Sequence, residues 1–132
     1  MKLGYVIEDE DGVGGKNISI RQGEIKSLKV FLYKSNGAPH VFSDVDEATF
    51  KISKGASATP LSKSLTVAGV TEITSPELGG TIGFVLALTA AETAGLPVSS
   101  TLDMSLEVTD TGIAIDKQDF PDSLDVSAPL VS

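Results

Sequence analysis

Apolar and polar side chains alternate along most of this chain with a period close to two, the spacing of a strand with one face buried and the other in water. Between Glu47 and Ser53 the apolar positions are Ala48, Phe50 and Ile52, with Glu47, Thr49, Lys51 and Ser53 around them. Between Leu102 and Thr109, Leu102, Met104, Leu106 and Val108 alternate with Asp103, Ser105, Glu107 and Thr109. A third run, Ile82, Phe84, Leu86 and Leu88, is interleaved with Gly83, Val85 and Ala87, which predicts a more central strand whose second face is partly covered. Shorter strands are expected at 3–7, 18–20, 28–33, 61–68, 70–74 and 113–115. The expected core is Phe50, Ile52, Ile82, Phe84, Leu86, Leu102, Met104 and Leu106.

Turn residues punctuate these runs. Asp11-Gly12, Asn36-Gly37, Ala68-Gly69, Gly79-Gly80 and Thr111-Gly112 all supply a residue that tolerates positive φ, so short strands are joined by tight turns into antiparallel sheets. The single helical signal is Thr89-Ala90-Ala91-Glu92, a capping box that Gly95 and Pro97 stop within two turns. One short helical crossover in an otherwise all-β chain favours a two-layer antiparallel immunoglobulin-like β-sandwich over a closed barrel. The pattern predicts a β-sandwich domain over 1–111, followed by a C-terminal strand and extended arm over 112–132, where Phe120-Pro121 and Ala128-Pro129 interrupt the chain.

With 132 residues and 41% hydrophobic side chains, the chain is one domain's worth of sequence with enough apolar material for a core. A formal charge of −8 repels phosphate backbones and anionic lipid, so neither nucleic acid nor a membrane surface is an expected partner. No apolar run approaches the roughly 20 residues of a membrane helix. The acidic residues after Ile7 interrupt any signal-peptide core, and synthesis in the cytoplasm is expected. The absence of cysteine excludes disulfides, thiolate metal sites and cysteine nucleophiles.

The remaining chemistry is sparse. His40, the one histidine, follows the turn Asn36-Gly37-Ala38-Pro39 and is expected as an exposed loop residue. No Gly-x-Ser-x-Gly elbow occurs, and Arg21 is the only arginine available for a bidentate clamp, so an enzyme is not expected. The run Glu8-Asp9-Glu10-Asp11-Gly12 supplies two spaced carboxylates, Asp9 and Asp11, to a weak Ca²⁺ site, with Ser43-Asp44-Val45-Asp46-Glu47 as a second acidic cluster that could join it; no other cofactor is implied. Five Phe and two Tyr without Trp provide little aromatic platform for sugar rings.

One surface signal stands apart. In 28–33, Leu28, Val30 and Leu32 take the inner face, which leaves Phe31 and Tyr33 outward beside Lys29, to be covered by a neighbouring loop or the C-terminal arm or to meet another subunit. The C-terminal segment adds Phe120, Leu124, Val126 and Leu130, apolar residues suited to an arm exchanged between copies. These six are the candidate interface residues.

Several blocks occur in a familiar order. Ile18-Ser19-Ile20-Arg21-Gln22-Gly23-Glu24 is followed by 28–33 and the turn Lys34-Ser35-Asn36-Gly37-Ala38-Pro39. Then come Ala48-Thr49-Phe50-Lys51-Ile52-Ser53-Lys54 and the block from Gly80-Thr81-Ile82-Gly83-Phe84 to Thr89-Ala90-Ala91-Glu92-Thr93-Ala94. In this order the chain, over residues 17 to 110, resembles the immunoglobulin-like N-terminal domain of tailed-phage baseplate upper proteins and related tail modules. The resemblance implies a structural or adaptor protein of a phage virion (tail, baseplate, neck or head-associated) without catalytic or cofactor residues. Its implied partners are copies of itself, as a trimer or larger, and other virion proteins. The alternative expectation is a ligand-binding β-sandwich such as a carbohydrate-binding or adhesin module.

Overall fold

Alternation becomes strand wherever a neighbouring strand completes the hydrogen-bond ladder on at least one side, and the chain does so eleven times among its described residues. The computed structural model describes residues 4–8, 14–15, 17–54, 59–98, 102–110, 113–120 and 123–128; at 14–15, 17–18, 113–120 and 123–125 it describes the main chain alone. The strands are β1 (Gly4–Glu8), β2 (Gly14–Gly15), β3 (Asn17–Arg21), β4 (Lys26–Tyr33), β5 (Val45–Ile52) and β6 (Leu61–Ser64). They continue with β7 (Val70–Ser75), β8 (Gly80–Leu88), β9 (Met104–Asp110), β10 (Ile113–Phe120) and β11 (Ser123–Ser127), with helix α1 (Ala90–Ala94) between β8 and β9.

Two antiparallel sheets pack together as a sandwich. One has the order β2-β1-β4-β8-β7 and the other β10-β9-β5-β6. Between them lie Ile7, Leu28, Val30, Leu32, Phe84, Leu86 and Leu88 from the first sheet and Ala48, Phe50, Ile52, Met104, Leu106 and Val108 from the second, all buried. The chain crosses between these two sheets three times: after β4, after β6, and after β8 through α1. The capping box forms as the sequence predicts: Thr89 accepts from the Glu92 amide, and the Glu92 carboxylate accepts from the Thr89 amide. Turn glycines Gly37, Gly69 and Gly79 carry φ of 87°, 92° and 77°, values that an L side chain rarely adopts.

Several features of the strands and core depart from the sequence reading. Ile82 is only half-buried and lies outside the core, because the register slips there: Ile73 pairs with Gly83 and Thr74 with Thr81, leaving Ile82 as the bulged residue. Leu102 precedes β9 and packs against the core while remaining half-buried. The strand expected over 61–68 ends at Ser64, where the chain turns toward the other sheet. A further sheet, β11 with β3, is parallel, contrary to the antiparallel expectation. A parallel pair needs a long connection, and the body of the domain between β3 and β11 supplies it.

The C-terminal segment accordingly joins the body of the fold. β10 pairs with β9 along the edge of the second sheet, and β11 pairs with β3 from Ser123 opposite Asn17 to Ser127 opposite Arg21. Main-chain pairing places both strands, 113–120 on β9 and 123–127 on β3, within the sheets of their own chain.

Candidate functional site

Cross-strand register decides which side chains share a face. In the five-stranded sheet Val6 stands opposite Phe31, Phe31 opposite Gly83, and Gly83 opposite Ile73. These positions alternate with buried Ile7, Val30 and Phe84, so Val6, Phe31 and Ile73 form an apolar row on the face turned away from the core. The adjoining row is Glu8, Lys29, Val85 and Thr71, and Tyr33 stands two residues beyond Phe31 on the same face. Val6, Phe31, Tyr33, Ile73 and Val85 are all half-buried.

Gly83 lets the Phe31 ring lie down on the sheet. A Cβ there would stand 3.2 Å from Phe31 Cδ1 and 2.4 Å from the Val30 carbonyl oxygen. The ring lies against the glycine, which accounts for part of the burial of this outward aromatic. Phe31 and Tyr33 therefore sit on the outer face as the alternation predicts. Val6, Val85 and Ile73 complete the patch, and only the register of three separate strands reveals that they belong to it.

The other candidate interface residues fall elsewhere. Val126, expected between copies, is a core residue of its own chain at 3% exposure, because β11 lies against β3 beside buried Ile20. Phe120 ends β10 and Leu124 lies in β11 opposite Ile18, but their side chains are outside the described residues, as is Leu130.

Asp9 and Asp11, the candidate Ca²⁺ ligands, also lie outside the described residues. In the second acidic cluster, Glu47 binds main chain. Its carboxylate accepts from the amides of Ala48 and Leu65, each at 3.0 Å, from the Thr66 amide at 3.3 Å and from the Thr66 hydroxyl, holding the turn that ends β6. Burial raises the pKa of this carboxyl, but the four hydrogen bonds outweigh it and the group titrates below the ordinary glutamate value. Asp110 similarly accepts from the amides of Ser43 at 3.3 Å and Asp44 at 2.6 Å. Among the described residues no three acidic or histidine side chains converge as a metal ion would require.

His40 is not the exposed loop residue expected. It is half-buried, its ring meets Phe42 edge-on with centroids 4.5 Å apart, and its Nδ1 is buried without a hydrogen-bond partner among the described residues.

The outer face of the second sheet differs in chemistry. Thr49 stands opposite Glu107 and Lys51 opposite Ser105, so the two short side chains lie on one diagonal and the two long ones on the other. Together they line a polar depression of about 200 Å³. No helix among the described residues is long and apolar enough to cross a membrane.

No family model matches this chain, and no curated protein matches it significantly. Among solved structures, the crystal structure of MtrC from Shewanella baltica OS185 aligns with 100% of this chain at 12% identity and a TM-score of 0.44. The chain spans 24% of that protein's chain, a likeness that carries no argument about function.

Proposed function

We propose that this chain is a structural module that acts by protein–protein assembly, docking the outer face of its five-stranded sheet against copies of itself and against neighbouring proteins of a phage virion. The observation that carries this reading is the row of Val6, Phe31 and Ile73, flanked by Val85 and Tyr33, on the face opposite the core. Aromatic anchors of this kind bury large area at little side-chain entropic cost, which is why interfaces are enriched in them. The net charge of −8 opposes indiscriminate association, so a specific contact must come from such a local patch. The resemblance over residues 17 to 110 supports the virion setting and closed symmetry, as a trimer or larger. On this reading the protein is made in the host cytoplasm and ends in the virion.

The test is the solution mass by light scattering over a wide concentration range. The wild type is expected to associate, and Phe31→Ser with Tyr33→Ser is expected to return it to a monomer with its strand signature intact. A wild type that stays monomeric at high concentration, or a double variant of unchanged mass, overturns the self-association.

A second reading, a ligand-binding sandwich such as a carbohydrate-binding or adhesin module, is favoured by the polar depression of Thr49, Lys51, Ser105 and Glu107. Hydroxyls, an ammonium and a carboxylate around one hollow suit a polyhydroxylated ligand. Glycan binding lost in Lys51→Ala and Glu107→Ala supports it; binding unaffected by both removes it.

A further inference from the structure

The segment between β4 and β5 wedges between the ends of two strands. The Lys34 amide donates to the Ala38 carbonyl, which folds the segment back so that Pro39 bridges to Tyr33 and the His40 amide donates to the Leu32 carbonyl at 3.0 Å. Two residues later Phe42 exchanges both main-chain hydrogen bonds with Thr81, at 2.8 and 3.0 Å. The segment thus occupies main-chain groups at the ends of β4 and β8. Phe42 plugs the core beneath it at 1% exposure, 5.8 Å from Phe84 between ring centroids. Gly80 leaves no slack, since a Cβ there would stand 2.5 Å from the Phe42 carbonyl oxygen and 2.7 Å from Val41 Cγ1.

His40 sits at the middle of this wedge, and its ring closes over the edge of Phe42. Neutral imidazole tolerates the place, because Nδ1 can remain a lone-pair acceptor. Imidazolium does not: both nitrogens then carry protons, and the one on Nδ1 points into a buried setting with no acceptor among the described residues. We propose that the segment from Lys34 to Asp44 is an acid-released latch and that His40 is its trigger. Protonation shifts the segment toward a detached state that uncovers Phe42 and frees the main chain of Leu32 and Thr81. The inference does not rest on the assembly reading above.

Two charged groups act on the ring from different elements. Burial lowers the imidazole pKa most, Lys34 at the start of the segment lowers it further, and Asp110 at the end of β9 opposes both; the net shift is downward from 6.5. The Asp110 carboxylate is already engaged with the amides of Ser43 and Asp44. A folded pKa below the unfolded one means that the closed latch is fully stable above pH 6.5 and loses stability as pH falls toward the folded value. Each unit of depression makes opening about tenfold more favourable in acid.

The chain has a single histidine, so its imidazole resonances need no assignment. A proton NMR titration of the intact protein is expected to give a midpoint below 6.5. Hydrogen exchange of the Phe42 and His40 amides, corrected for intrinsic rates, is expected to accelerate between pH 7.5 and 5.5 while the Val30 and Leu86 amides stay protected. In His40→Phe, which keeps an aromatic ring against Phe42, that acceleration is expected to vanish. A wild-type midpoint at or above 6.5 overturns the latch, whatever the variant does. So does acceleration that persists unchanged in a folded His40→Phe.

Discussion

Lys63 Nζ lies 2.6 and 2.7 Å from the two carboxylate oxygens of Glu92, a contact that ties edge strand β6 to helix α1 across 29 residues. Lys63 and Glu92 are 10% and 22% exposed, so water screens the pair only in part. Space for the lysine stem comes from Gly69, where a Cβ would fall 2.0 Å from Lys63 Cε. Glu92 also closes the capping box, so one carboxylate fixes both the helix start and its place on the sandwich.

Glu92→Gln should therefore cost about 1.5–3 kcal/mol at neutral pH, the range for hydrogen bonds to charged groups. Burial of the carboxyl works to raise its pKa, but hydrogen bonds from Lys63 and Thr89 and the Lys63 charge more than offset it, leaving the group below the ordinary 4.5. Its contribution is complete above pH 4.5 and lost as pH falls through the folded value. Urea unfolding of wild type and variant should show a gap at pH 7 that closes toward pH 3. A gap independent of pH would show that the ionised pair is not its source.

Gly83→Ala is expected to destabilise the fold by about 1–3 kcal/mol, the usual cost of overpacking. The new methyl meets the Val30 carbonyl oxygen at 2.4 Å, a main-chain atom that cannot swing aside, so β4 and β8 must part. The measurement is the urea midpoint at constant slope; an unchanged midpoint contradicts the close approach.

Phe84→Ala should cost about 3–5 kcal/mol. Phe84 is fully buried at the centre of the core and lies against Phe42, so the void it leaves is walled by two sheets that cannot easily collapse into it. Thermal unfolding followed by circular dichroism would reveal the loss, and a melting temperature close to wild type would refute the assigned core.

Thr93→Val should cost about 1–3 kcal/mol although it keeps the side-chain shape. The Thr93 hydroxyl is fully buried, donates to the Glu24 carbonyl at 2.7 Å and accepts from the Gly23 amide at 3.0 Å, which joins α1 to the turn between β3 and β4. Valine leaves both main-chain groups without their partner. Exchange of the Gly23 amide should rise in the variant, and an unchanged rate would refute the bond.

The layers of this fold are legible in local alternation, because a half-buried strand must repeat every two residues. Phe50, Ile52, Phe84, Leu86, Met104 and Leu106 are read correctly from their own neighbours. The capping box at Thr89 and the turns at Gly37, Gly69 and Gly79 are legible for the same reason, since their physics is confined to a few bonds. Ile82 is misread because a bulge depends on the partner strand, and no pattern within 82–88 encodes the slip at Ile73 and Thr74.

What the sequence alone determined is the all-β class, the outward placement of Phe31 and Tyr33 and the short helical crossover between sheets. Tertiary structure decided the rest. Val6, Ile73 and Val85 join Phe31 only through the register of β1, β7 and β8 with their neighbours. Val126 became core, not interface, when β11 found β3 across nearly the whole chain. His40 acquired its buried nitrogen from the way the Lys34–Asp44 segment folds back between two strand ends. Periodicity follows from the geometry of one strand, whereas burial on the second face, register and the surroundings of a lone imidazole arise from residues far away in sequence, brought together only when the two sheets close.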